Sequence, residues 1–194
     1  MTTIVAVKKN GIVTIAADTL TTFGNTRLPA VMDSSHDKIL HIADSYVGVC
    51  GSAAHHLVLS SLLGKSPDVK LNSKEEIFET FRKLHPVLKE ECFLNPKEDE
   101  EDPYESSQIT ALIINASGLY GIFSMREVFE YTQFWAIGSG HEFALGAMQH
   151  AYSRFDNATD IACAGVEAGI AFDKNSAAPI TIYTVTLSPA SNLP

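Results

Sequence analysis

The sequence predicts one domain of the α/β (α+β) class, built as a four-layer α/β/β/α sandwich. Apolar residues make up 45% of the 194 residues and charged residues 19%, which suits a globular domain with a sizeable core. Strand and helix patterns also alternate in blocks: strands, two helices, strands, two helices and a final strand. Sheets lying between helical layers bury both their faces, so this order favours the sandwich. No repeat or linker divides residues 1–194.

The first block is a hairpin at the beginning of the chain. Residues 3–9 alternate with period two, residues 12–18 are rich in β-branched side chains, and Asn10-Gly11 separates them. Two such runs joined by Asn-Gly are among the strongest hairpin signals. The first strand is therefore expected to start at residue 2 or 3, which would hold the chain's beginning in a sheet.

The later elements follow from helical spacing and turn residues. A helix is expected to begin at Gly51-Ser-Ala-Ala, and a clearer one follows Ser73, which has capping-box spacing to Glu76. Pro86 is expected to kink that helix or end it early. The remaining predictions are strands at 38–42, 46–50, 109–115, 119–124, 134–137 and 179–186, and helices at 139–155 and 157–172.

Charge and composition exclude several classes of function. The net charge of −9 argues against nucleic-acid or anionic-membrane partners, because phosphate groups bind to basic surfaces. Five of the 23 acidic residues lie between Lys97 and Pro103, a run that predicts a solvated loop. No apolar run reaches the roughly 18 residues that span a bilayer, and the start lacks signal-peptide order. We therefore expect a cytoplasmic protein without a membrane role.

The chemistry suggested by the residues begins at Thr2. A threonine hydroxyl is a poor nucleophile that needs a base within hydrogen-bond reach. Initiator methionine is normally removed before a small residue, and the α-amine of Thr2 could then serve as that base. Such an amine titrates at about 7.7–8, so its neutral form is accessible near neutral pH. Met-Thr is a common beginning, so this signal is weak by itself.

A family resemblance adds to that signal. Residues 2–18 followed by Gly24-Asn-Thr26 closely resemble the start of HslV, and the similarity continues through Lys38-Ile-Leu40. The chain thus resembles the proteasome β-subunit and HslV family of N-terminal threonine peptidases, in particular a bacterial proteasome-like branch such as the β-proteobacterial homologues. The resemblance implies the N-terminal nucleophile hydrolase fold and a self-compartmentalising threonine-type endopeptidase. Further matching segments lie in family order at 49–54, 136–140 and 173–176.

The resemblance assigns four residues to the reacting centre. Thr2 matches the nucleophile, Asp18 the acid that holds Lys38, and Lys38 the ammonium that lowers the pKa of the neighbouring amine and hydroxyl. The stretch before Lys38 is longer than in HslV. Gly51 matches the backbone donor that stabilises the oxyanion, and it would also suit a plain strand-to-helix turn.

Three further residues support the centre in the family. Ser139 matches a serine that orients the terminal amine, although Ser139-Gly-His-Glu142 also has capping-box spacing and could simply cap a helix. Asp173 and Ser176 match an Asp-x-x-Ser that supports the amine and a nearby water. These two residues could alternatively shape only the end of the last helix.

Substrate and partners also follow from the resemblance. Thr21, Val49 and Ala53 match the specificity pocket and imply tolerance of apolar or medium side chains. The chain is expected to form stacked homo-oligomeric rings, six- or sevenfold, around unfolded protein or peptide substrates. An ATP-dependent unfoldase would have to be another chain, and the chemistry needs no cofactor and no metal. An acidic insertion at about 95–107 is expected at a ring edge or pore.

Two other functions remain open from the sequence, namely an amidohydrolase acting on a small acylated metabolite and an inactive assembly subunit. Retention of Met1 would favour the inactive subunit. Other residue groups give weaker signals: adjacent His55-His56 do not share a helix face for a metal, Gly138-Ser-Gly140 lacks a dinucleotide fingerprint, and a Cys50 nucleophile has little support. The three cysteines, Cys50, Cys92 and Cys163, are odd in number and widely separated, which predicts reduced thiols and no disulfide.

Overall fold

Two β-sheets stacked face to face form the centre of the computed structural model, which describes residues 2–64, 69–97 and 101–189. A short 3₁₀ helix at Ala30–Met32 lies between the fourth and fifth strands. The other elements follow in the order β1 (Ile4–Lys9), β2 (Ile12–Asp18), β3 (Thr21–Phe23), β4 (Thr26–Leu28), β5 (Ile39–Ile42), β6 (Ser45–Cys50), α1 (Ala53–Leu63), α2 (Lys74–Glu90), β7 (Thr110–Asn115), β8 (Gly118–Ile122), β9 (Val128–Glu130), β10 (Phe134–Ile137), α3 (His141–Tyr152), α4 (Ala158–Phe172) and β11 (Ile180–Thr186).

The four-layer α/β/β/α sandwich predicted from the sequence is confirmed. One sheet has the strand order β10-β1-β2-β11 and the other runs in sequence order from β5 to β9. Helices α3 and α4 cover the outer face of the first sheet, and α1 and α2 cover that of the second. A third apolar cluster fills the space between the sheets. The strands β3 and β4 form a separate small hairpin beside this sandwich.

Strand β1 lies in the middle of the first sheet. It pairs antiparallel with β2 through the predicted hairpin and antiparallel with β10 on its other edge. Val5 and Val7 belong to the cluster under α3 and α4, whereas Ile4 and Ala6 belong to the cluster between the sheets. Both faces of β1 are therefore covered, so the beginning of the described chain is held from every side.

Helix α2 bears on two expectations from the sequence. Pro86 does not end the helix early, because α2 continues to Glu90 with Leu88 buried. Pro86 lies on the exposed side, where water can bind the carbonyl that its missing N–H leaves free. At the other end, Ser73 accepts a hydrogen bond from the Glu76 amide at 3.2 Å, as the capping-box spacing predicts.

The short strands β3, β4 and β9 have no counterpart in the sequence-based prediction. Each has only three residues, too few for a period-two pattern to stand out. The predicted acidic insertion at 95–107 is described except at 98–100, which lie outside the described residues. In the described part of the chain, no helix has the length and apolar character that a bilayer crossing requires.

Candidate active site

Thr2 lies immediately before β1, where its hydroxyl meets two charged side chains. The hydroxyl donates a hydrogen bond to Asp18 Oδ1 at 2.6 Å and accepts one from Lys38 Nζ at 2.6 Å. Thr2 itself is only 3% exposed. The oxygen therefore occupies a fixed position between a carboxylate and an ammonium.

Asp18 ends β2 and is completely buried, so its charge depends on the groups around it. Lys38 Nζ and the Thr3 amide donate to Oδ1 at 2.7 and 2.9 Å. The amides of Leu20 and Ala177 donate to Oδ2 at 3.0 and 3.1 Å. A buried carboxylate is tolerated when it is paired and hydrogen-bonded in this way.

Lys38 precedes β5 and reaches Asp18 and Thr2 with the same ammonium group. Desolvation by burial lowers the pKa of Lys38 below its ordinary value of 10.5, although the neighbouring Asp18 opposes the shift. With Asp18 at 2.7 Å, the ammonium has a partner that favours its charged form. Its positive charge lies 2.6 Å from the Thr2 oxygen, where it favours loss of the hydroxyl proton.

The backbone nitrogen of Thr2 faces a different set of groups. It donates to Ser139 Oγ at 3.2 Å, and the Ser139 hydroxyl donates to Asp173 Oδ2 at 2.6 Å. Ser176 donates to the same carboxylate oxygen at 2.9 Å and lies 2.7 Å from the Thr3 hydroxyl. Ser139 thus links the nitrogen to Asp173, while Ser176 holds Asp173 and Thr3 together.

Asp173 follows α4 and is surrounded by neutral donors. Burial alone would raise its pKa, but hydrogen bonds from Ser139, from the amide and side chain of Asn175, and from Ser176 bring the pKa below its usual 3.8. The carboxylate is therefore ionised at neutral pH and holds the Ser139 hydroxyl in place.

The structure decides against a capping role for Ser139. Helix α3 begins at His141 with Gly140 in the capping position, and no side chain caps it. Ser139 stands one residue too early, and its hydroxyl is engaged with Asp173. The capping-box spacing of Ser139 and Glu142 is therefore coincidental.

Gly138 allows the turn before Ser139 to approach Thr2. Its φ is +91°, and a Cβ at this position would lie 2.2 Å from the Thr2 carbonyl oxygen. A Cβ on Gly140 would lie 2.0 Å from Thr3 Oγ1. Close packing against the beginning of the chain thus explains both glycines of Gly138-Ser-Gly140.

Gly51 joins β6 to α1 at the edge of the cleft that contains Thr2. Its φ of +120° is a conformation that residues with a Cβ rarely adopt. The preceding Cys50 also lines the cleft, but burial raises the pKa of its thiol to about 11. At neutral pH Cys50 is therefore a protonated, weakly reactive thiol in the same cleft as Thr2.

A cleft of about 280 Å³ opens from Thr2. The three residues predicted to bind substrate, Thr21, Val49 and Ala53, all line it. The sequence did not point to four further lining residues, Asp33, Ser35, His36 and Asp37, or to His56 on α1. The first four lie in irregular backbone, so no periodic pattern indicates which of their side chains face the cleft.

All ten residues selected from the sequence thus lie in one region. Thr2, Asp18 and Lys38 are in mutual contact, and Ser139 contacts the Thr2 nitrogen. Asp173 and Ser176 reach Thr2 only through Ser139 and Thr3. Gly51 and the three substrate-binding candidates share the cleft with Thr2.

Comparisons with known proteins show the family to which the chain belongs. A comparison with protein-family models matches residues 1–185 to the proteasome subunit family. A search of curated proteins gives no match.

Solved structures give close matches. BPH from Thiobacillus denitrificans is 38% identical, with a TM-score of 0.91 over 96% of this chain and 99% of that chain. The same protein in complex with epoxomicin is 36% identical, with a TM-score of 0.90 over 96% of this chain and 100% of that chain. HslV from Trypanosoma brucei is 21% identical, with a TM-score of 0.64 over 95% and 99%, and shares the fold.

Proposed function

The chain belongs to the proteasome subunit family, and from this premise we propose that it hydrolyses peptide bonds with Thr2 as an N-terminal nucleophile. Membership indicates a protease that works in a compartmentalised oligomer. One observation carries the finer assignment: the Thr2 oxygen lies 2.6 Å from both Lys38 Nζ and Asp18 Oδ1. That contact provides a nucleophile, a cation that favours its ionised form, and an anion that keeps the cation charged.

The reaction begins with the Thr2 hydroxyl proton. Removal of Met1, which lies outside the described residues, turns the Thr2 nitrogen into a primary amine. In its neutral form this amine takes the hydroxyl proton, directly or through a water. Asp18 orients the hydroxyl and holds Lys38 beside it.

The Thr2 oxygen then attacks the peptide carbonyl carbon, and the Gly51 N–H stabilises the oxyanion that forms. The protonated amine gives its proton to the leaving amino group as the C–N bond breaks, which leaves an ester on Thr2. A water activated by the same amine hydrolyses the ester and restores the hydroxyl. Ser139 and Asp173 keep the amine oriented throughout.

We also propose that residues 1–194 act as a single domain within stacked homo-oligomeric rings, six- or sevenfold, that enclose unfolded proteins or peptides. Ring closure requires two different faces of each subunit to meet. In this arrangement an ATP-dependent unfoldase would be a separate chain. The acidic loop at about 95–107 would lie at a ring edge or pore and influence the entry of substrate.

Substitution of the nucleophile tests the proposed function. Purified Thr2→Ala should lose hydrolysis of fluorogenic peptides, whereas Thr184→Ala, an exposed threonine of β11, should keep it. Intact mass should show that active protein lacks Met1. Epoxomicin, which BPH from Thiobacillus denitrificans binds in its solved complex, should also bind this chain and add its mass. A Thr2→Ala variant as active as the wild type would exclude the mechanism.

The size of the assembly separates the remaining functions. Native mass spectrometry should find rings, whereas a monomer or dimer that hydrolyses small acylated metabolites would favour the amidohydrolase. Active rings whose subunits retain Met1 would exclude the amine as base. Deletion of residues 97–103 should change the degradation of unfolded protein, and an unchanged ring size and rate would contradict the proposed role of the loop.

A further inference from the structure

The cleft that opens from Thr2 has both charged and apolar lining residues. Asp33 and Asp37 supply carboxylates, and Val49, Ala53 and Leu57 supply apolar surface. The cleft therefore combines an apolar lining with two carboxylates. A side chain that fits both needs a long apolar stem and a polar end.

Asp33 has capacity for a further partner. Its Oδ1 accepts a hydrogen bond from the Ser35 amide at 2.9 Å. An ionised carboxylate has about four lone-pair sites, so this bond leaves room for a donor from a ligand. Asp33 is half-buried, and so a pair formed there is only partly screened by water.

Asp37 contributes negative charge to the cleft, while its hydrogen bonds are made to other parts of the chain. Its two oxygens already accept hydrogen bonds from the Ile39 amide at 2.9 Å, Thr181 at 3.1 Å and Tyr183 at 2.5 Å. These neutral donors leave the net charge of the carboxylate in place. Together, Asp33 and Asp37 give the cleft a negative potential.

His56 lines the same cleft without adding a charge. Its Nε2 is buried and has no hydrogen-bond partner among the described residues. Burial lowers the pKa of His56, which the charge of Asp37 partly opposes, so the ring is neutral at neutral pH. A neutral ring does not cancel the charge of the two carboxylates.

Among the described residues that line the cleft, the only lysine or arginine side chain is Lys38, and Asp18 at 2.7 Å neutralises it. The other basic residues there are His36 and His56. An acidic side chain would enter this cleft against two like charges, whereas a basic one would gain partners.

We propose that the cleft selects a lysine or arginine side chain on the residue whose carbonyl Thr2 attacks. This inference rests on the proposed peptidase function. The aliphatic stem packs against Val49, Ala53 and Leu57, and the cationic end reaches Asp33 in the field of Asp37. The apolar lining predicted from the sequence then serves the stem of the side chain, and the carboxylates select its end.

A panel of three fluorogenic peptides that differ only in the residue before the reporter tests the inference on wild-type protein. We expect kcat/KM to be highest for arginine, roughly tenfold lower for leucine and lower still for glutamate, since one charge-assisted contact changes affinity by about that factor. The advantage of arginine over leucine should shrink as salt is raised, because the carboxylates are partly exposed.

Asp33→Asn should reduce the ratio of arginine to leucine kcat/KM roughly tenfold, because the charge is lost at nearly constant volume. Asp44→Asn removes one exposed carboxylate from the turn between β5 and β6, outside the cleft, and should leave the ratio unchanged. If wild-type protein cleaves the leucine peptide as fast as the arginine peptide, this inference is overturned and the proposed peptidase function stands. Failure to cleave any of the three would overturn the peptidase function and this inference with it.

Discussion

The two carboxylates on either side of Thr2 are held in different ways. Asp18, which is completely buried, binds an ammonium and contacts the hydroxyl, whereas Asp173, 8% exposed, binds only neutral donors and reaches the nitrogen through Ser139. The two sides of Thr2 therefore differ in whether a charged group contacts the reacting atom. A cation beside the hydroxyl favours its ionisation, while a chain of hydroxyl groups beside the nitrogen can hold an amine in either protonation state.

Lys38→Met should have the largest effect, because it removes the cation from the hydroxyl side. We expect kcat for peptide hydrolysis to fall about 100- to 1,000-fold, the usual effect of losing one such electrostatic contact. The free energy of unfolding should fall by about 3–5 kcal/mol, since Asp18 becomes an unpaired buried charge. Chemical denaturation measures the second effect, and Lys74→Met on the exposed start of α2 is the matched control. Normal kcat in Lys38→Met would refute the role of the cation.

Asp18→Asn should lower kcat about 100-fold and cost a similar free energy of unfolding, because Lys38 then loses its buried partner. The double variant Asp18→Asn/Lys38→Met removes both charges together. It should be more stable than either single variant by about 1–3 kcal/mol, while remaining inactive. Additive losses of stability would show that the two charges do not depend on each other.

Asp173→Asn should have a smaller effect, with kcat about 10- to 100-fold lower, because it weakens hydrogen bonds that reach the nitrogen only through Ser139. The fold lowers the pKa of Asp173 below 3.8, so its ionised form stabilises the folded state. That stabilisation is fully present above this pH and is lost as pH falls through the lowered pKa.

The stability difference between wild type and Asp173→Asn should therefore stay constant from about pH 5 to pH 8 and shrink below about pH 4. Denaturation at several pH values measures it. Asp160→Asn, an exposed acid in the first turn of α4, should change neither kcat nor this profile. A difference that already shrinks near pH 6 would mean that Asp173 has a raised pKa.

Variants of the two serines that bind Asp173 can distinguish orientation of the Thr2 nitrogen from support of the Asp173 carboxylate. Ser139→Ala should lower kcat about tenfold, and Ser176→Ala about threefold, within the range of one neutral hydrogen bond. The reason is that Ser139 contacts the Thr2 nitrogen directly, whereas Ser176 contacts Thr3. Equal losses in the two variants would show that Ser139 acts only by holding Asp173.

Modification of Cys50 should have the smallest effect on peptide hydrolysis, because this thiol is part of neither the Asp18 nor the Asp173 hydrogen-bond network. Burial raises its thiol pKa to about 11, so alkylation by iodoacetamide at pH 8 should be slow and should leave peptide hydrolysis nearly unchanged. Mass spectrometry of the peptide that contains Cys50 distinguishes its modification from that of Cys92 and Cys163, and free cysteine is the reference thiol. Rapid alkylation of Cys50 at neutral pH would contradict a thiol that stays protonated.

The sequence predicted the layers better than the irregular parts. The hairpin of β1 and β2 and the helical spacing of α2 gave strong local signals, because each is a long periodic pattern. The three-residue strands gave no such signal. The sequence also left open whether Pro86 ends α2, and the helix continues past it on its exposed side. In the site, the family resemblance led to Thr2, Asp18 and Lys38. Asp33 and His56 had no motif, because only the folded backbone brings them to the cleft.

The central position of β1 in its sheet has a consequence for the cell that makes this chain. Thr2, Asp18 and Lys38 belong to the first 38 residues, whereas Ser139 follows β10, whose pairing with β1 brings it to the Thr2 nitrogen. Asp173 lies still later in the chain, after α4, and holds the Ser139 hydroxyl. Under the proposed mechanism, a nascent copy that has not yet reached Asp173 lacks the groups that orient the amine, so hydrolysis would have to await synthesis of most of the domain.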